Sequence, residues 1–151
     1  MRNIVYFIFG FLLLTSTVNA KEKKILLDEL VDYNINVSTA ENGLYQYMGS
    51  KDGLSVSFLA TDKEVRKINY IFAAGNNDKF SDQITDVTQK LMPKKVTNTD
   101  KFSSQILSEL SKLRKEGDDE KLNAAGNRFN FKLMNGMIHV QAVPYKYVNK
   151  I

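Results

Sequence analysis

An α+β fold is predicted by three features of this 151-residue chain. Runs of alternating apolar and polar residues, the mark of half-buried strands, occupy two separate stretches. Between them the apolar spacing switches to the three-and-four rhythm of a helix. Asn-Gly and Asp-Gly pairs, which tolerate the positive φ of tight hairpin turns, punctuate the alternating runs. Together these features predict one antiparallel sheet of five or six strands: a three- or four-strand meander plus a C-terminal hairpin. Two helices pack on one face of that sheet and a short helix precedes it.

The first element reads as a segment outside the fold. Met1–Ala20 opens with Arg2, continues through the apolar run Ile4–Leu14 and ends in small residues, with Val18 and Ala20 at the −3 and −1 positions of a cleavage site. The run is short for a membrane span, which takes about 20 apolar residues. A Sec-type signal peptide cleaved after Ala20 is therefore expected, leaving Lys21–Ile151 as a single α+β domain of 131 residues. A chain of that size can bury a core without cross-links.

Lys23–Tyr33 places Leu26, Leu27, Leu30 and Val31 together on a helical face and predicts the short N-terminal helix. Asn34–Thr39, Leu44–Met48, Leu54–Ala60 and Arg66–Ala73 then read as strands, with Asn42-Gly43, Asp52-Gly53 and the polar Thr61–Glu64 as their turns. Phe80, Ile84, Val87 and Leu91 form one helical stripe that stops before Pro93, with Asn77 or Asp78 as its cap. Phe102, Ile106, Leu110 and Leu113 form a second, capped by Thr99 or Asp100, with basic residues in its last turn and Gly117 as its end. Asp118–Gly126 reads as a loop or a fragment of helix. Arg128–Leu133 and Ile138–Val143 form the final hairpin around Asn135-Gly136, closed by Pro144.

The chemistry on offer is sparse. The chain has no cysteine and one histidine, His139, so thiolate catalysis, lipidation of an N-terminal cysteine and paired-histidine metal sites find no residues. Ser55 and Ser57 lack a nucleophile elbow, and Asp118, Asp119 and Glu120 lack the ligand spacing of a calcium loop. No catalytic residue, cofactor or metal is expected. Beyond Ala20, 20 basic residues face 17 acidic ones, a mild excess with no dense basic run, and nucleic acid is not an expected partner.

What remains is surface. The polar positions of the predicted strands gather Asn69, Arg128, Asn130, Lys132, His139 and Gln141, mixed with Leu59, Ile71 and Val143, as a candidate recognition face. Tyr145 and Tyr147, alternating with lysines in the C-terminal segment, form a second candidate contact. The expectation is a periplasmic or secreted bacterial envelope protein that binds another envelope or secreted protein without catalysis, as an inhibitor, immunity or chaperone-like accessory factor. No stable membrane insertion is expected after cleavage. Two alternatives make different demands. A wall- or glycan-active enzyme needs a pocket holding His139 or paired carboxylates. A binder of a small apolar ligand or lipid needs a cavity between helices and sheet.

Overall fold

A computed structural model describes residues 30–39, 41–92 and 95–149. Seven strands form one antiparallel sheet: β1 (Asn36–Thr39), β2 (Tyr45–Lys51), β3 (Leu54–Ala60), β4 (Val65–Ala73), β5 (Asp119–Ala124), β6 (Asn127–Met134) and β7 (Met137–Pro144). Two helices, α1 (Asn77–Leu91) and α2 (Thr99–Lys112), lie between β4 and β5. The spatial order is β1-β2-β3-β4-β7-β6-β5. The chain runs out as a four-strand meander, crosses through both helices to the far edge, and returns as a second meander that closes against β4.

The architecture is the α+β class expected, with one strand more than the predicted maximum. The addition is β5, in the stretch read as a loop or helical fragment. It pairs along its length with β6, from Asp119 opposite Lys132 to Ala124 opposite Asn127. The turn joining them is Ala125-Gly126, both at positive φ (49° and 68°), the geometry that Asn-Gly and Asp-Gly supply at the other hairpins.

Both helices cover the same face. Strand residues on that face alternate with outward neighbours, as a pleat requires. Tyr47 stacks on Phe58 (4.5 Å), Phe72 on Phe80 of α1 (4.3 Å), and Phe129 meets Phe102 of α2 (5.6 Å). Burying each such ring stabilises the fold by about 1.5–3 kcal/mol relative to exposure. The buried Tyr70 hydroxyl lies 2.8 Å from Thr88 Oγ1. Thr88 in turn donates to the carbonyl of Ile84 (2.7 Å). The helical stripes at Phe80, Ile84, Val87, Leu91 and at Phe102, Ile106, Leu110, Leu113 are all buried, as their spacing predicts.

The caps sit one residue earlier than expected. Asn76 precedes α1, and at α2 Asn98 accepts a hydrogen bond from the Lys101 amide (2.9 Å). α2 also ends before Gly117, at Lys112. The following turn is held instead by Asp118, whose carboxylate accepts from the Arg114 and Lys115 amides (2.8 and 2.9 Å).

The expected signal segment Met1–Ala20 and most of the predicted N-terminal helix lie outside the described residues. What is described there is a single 3-10 turn, Val31–Tyr33. Leu30 and Tyr33 are buried, but Val31 is 72% exposed, so the predicted apolar pair Leu30–Val31 does not face one way. This turn sits against β2 at Gly49. A Cβ there would lie 2.3 Å from the Tyr33 carbonyl oxygen, so only glycine admits the approach.

Candidate functional site

The face of the sheet turned away from the helices carries every residue of the predicted recognition face. Register assigns them to rows that run across strands. One row reads Asn36, Met48, Ser57, Asn69, Gln141, Asn130 and Lys121. The next reads Ser50, Ser55, Ile71, His139, Lys132 and Asp119. Arg128 stands opposite Val143, and Lys67 opposite Leu59. Thus Asn69, Arg128, Asn130, Lys132, His139 and Gln141, drawn from β4, β6 and β7, share the surface turned away from the helices, whereas Val143, expected among them, is buried.

Its centre is a line of amides. Asn69 donates from Nδ2 to Ser57 Oγ, and Gln141 donates from Nε2 to Asn69 Oδ1, each at 3.4 Å. These bonds are long for the type and therefore weak, so the amides keep capacity for other partners. Shallow hollows flank the line. One of about 330 Å³ is lined by Ser57, Asn69, Ile71, Asn130, Lys132, His139 and Gln141 among others. Another, of about 470 Å³, lies over β5–β7 and includes Arg128, Lys132, Lys121 and Asp119.

The face is electrically lopsided. Its β1–β3 side presents Asn36, Ser38, Gln46, Met48, Ser50, Ser55 and Ser57, with no charge. Its other side presents Lys67, Lys121, Arg128 and Lys132 against the single carboxylate of Asp119. Among the described residues none of those four cations forms an ion pair. Lys121 went unread in the sequence because its strand did. Lys67 stood at a polar position of a recognised strand and was legible there.

The C-terminal candidates separate. Pro144 is followed by a 3-10 turn, Tyr145–Tyr147, rather than a strand or free tail. Tyr147 is buried, and its hydroxyl donates to Glu64 Oε1 while Lys146 pairs with the other carboxylate oxygen. Arg66 joins at the same oxygen as Tyr147, its Nη2 3.3 Å from Glu64 Oε1 and its guanidinium 4.1 Å from the Tyr147 ring centre. Hydrogen bonds from Lys146 and then Tyr147 hold the Glu64 carboxyl below its ordinary pKa. Tyr147 thus fastens the chain end to the β3–β4 turn, and only Tyr145, 48% exposed, remains available for contact.

The alternatives place their own demands on this geometry. The hollow at His139 is lined by hydroxyl, amide, ammonium and apolar groups, with no carboxylate beside the imidazole. Between helices and sheet, the aromatics that could line a lipid cavity instead pack on one another or on the helices, with Phe58, Tyr70, Phe72, Phe129 and Phe131 at most 1% exposed. Among the described residues no helix is long and apolar enough to cross a membrane, and no group of three His, Asp or Glu side chains could hold a metal ion. Comparison with family models, with characterised proteins and with solved structures finds no match for this chain.

Proposed function

We propose that this chain is an exported bacterial envelope protein that acts by binding, docking an acidic protein on the open face of its sheet as an inhibitor, immunity or accessory factor. One observation carries the proposal. Lys67, Lys121, Arg128 and Lys132 form no ion pair among the described residues and stand beside a weakly bonded amide row, on a face with half-exposed apolar Leu59 and Ile71 interleaved. Amides with spare hydrogen-bonding capacity, apolar side chains that gain from desolvation and one sign of charge are what a protein interface combines. The charge commits the partner to an acidic surface, which such a field would also steer into place. Export rests on the charged start, apolar run and small-residue end of Met1–Ala20.

A photo-crosslinking residue placed at Asn130 in the full-length protein, expressed in its own cells, is expected to trap an acidic protein. Lys132→Glu in the same chain should cut the yield several-fold. A crosslinker at the exposed Gln89 of α1 should trap no such protein. Equal trapping from both positions, or trapping indifferent to Lys132→Glu, defeats the docking face. N-terminal sequencing tests export separately: the envelope protein should begin at Lys21, and a chain found only with Met1 in the cytosol would refute it.

A further inference from the structure

At one corner of the open face the pleat breaks. Leu59 stands opposite Lys67, but Ala60 stands opposite Val65, so Arg66 is an extra residue on β4. In a regular strand Arg66 and Lys67 would point to opposite faces. A bulge re-aims a side chain in this way. Here it brings both cations to the wall of one hollow of about 400 Å³, with Asn42, Leu44, Leu59, Thr61 and Tyr147.

The hollow has two chemically distinct parts. Leu44, Leu59 and the Tyr147 ring give it a mainly apolar wall, and the two cations give it a polar end. Lys67 has no ion-pair partner among the described residues. Arg66 is already oriented, with Nη2 on Glu64 and its plane over Tyr147, yet its Nε is buried and donates to nothing. A preorganised guanidinium beside an ammonium that makes no ion pair among the described residues suits a carboxylate. The apolar wall suits a short hydrocarbon body attached to it, and the volume lies within the range of small-ligand sites.

We infer that this hollow binds a small amphipathic carboxylate, its anionic head on Arg66 and Lys67 and its apolar body along Leu44, Leu59 and Tyr147. The site does not depend on the docking face and stands if that fails. Isothermal titration of the full chain with octanoate, octanol and acetate separates the parts. Octanoate should bind saturably and about tenfold more tightly than either comparison compound, because each lacks one half of the match.

Lys67→Gln removes a cation that makes no ion pair among the described residues, and should weaken octanoate binding about tenfold without moving the melting temperature. Arg66→Gln should do the same, but it also touches the Glu64–Tyr147 contact, so Lys67→Gln is the deciding variant if that chain fails to fold. Lys101→Gln, at an exposed position of α2 away from the hollow, should leave binding unchanged. Octanol binding as well as octanoate, absence of saturation at roughly millimolar ligand, or a Lys67→Gln protein that binds normally would overturn the assignment.

Discussion

On the helix-covered face of the sheet, β2–β4, β6 and β7 present Tyr47, Phe58, Ile68, Tyr70, Phe131 and Val140, all essentially without solvent exposure. The alternate positions of the same strands, on the open face, present Met48, Ser57, Lys67, Asn69, Lys132 and His139, all partly or fully exposed. Backbone hydrogen bonding is common to both faces, so the contrast isolates what side chains contribute. One face holds the molecule together through packed rings. The other is free to vary without unfolding it, which is the condition for carrying a binding function.

Neighbouring residues on β6 offer the sharpest way to break that comparison. Phe131 is fully buried and Asn130 lies next to it on the opposite side. Phe131→Ala should cost about 3–5 kcal/mol in urea unfolding, through lost transfer energy and the cavity left behind. Asn130→Ala should stay within about 0.5 kcal/mol. Similar costs at the two sites would mean that the open face is covered or structurally engaged.

The rim where the faces meet gives a smaller, pH-dependent effect. Glu64 accepts the part-buried Tyr147 hydroxyl, and Glu64→Ala would remove that partner at a cost of about 1 kcal/mol near neutral pH. The folded-state pKa of Glu64 lies below its ordinary 4.5, so the unfolded chain binds the proton more tightly. The ionic part of the contact is then fully present above about pH 4.5 and is lost as pH falls through the depressed folded value. Thermal melts of the wild type and Glu64→Ala should therefore converge as the solution is acidified. A gap that stays constant would show that packing of Tyr147, and not the carboxylate charge, fastens the chain end.

Legibility in the sequence followed the contrast between faces. Where alternation was strong, as at Phe129, Phe131 and Leu133 against Arg128, Asn130 and Lys132, strand, partner and outward face could all be read from the residues. The six candidate binding residues came together for that reason. The C-terminal tyrosines did not resolve, because no local pattern reveals that Glu64, far off in the chain, accepts the Tyr147 hydroxyl. The corner hollow was hidden for a related reason: Val65 and Ile68 are both buried with two polar residues between them, which marks the break in β4, but no local pattern shows that Arg66 and Lys67 there meet Leu44, Leu59 and Tyr147. β5 escaped because its covered positions are Glu120, Leu122 and Ala124, only one of them large and apolar, and none is fully buried.

That weak edge also supports the smallest of the expected effects. Ala125 holds φ at 49° in the β5–β6 turn, a left-handed conformation that costs a residue with Cβ roughly 1–2 kcal/mol. Asn42 and Asn135 occupy the corresponding conformation in other turns, where the side chain tolerates it. Ala125→Asn should therefore stabilise the fold by about 0.5–1 kcal/mol in urea unfolding. Because β5 has little covered-face packing to fix its position, the gain should be concentrated there, as slower hydrogen exchange of the Leu122 and Ala124 amides. Unchanged exchange at that edge, or a loss of stability, would mean that pairing with β6 alone sets β5 and that its turn residue is immaterial.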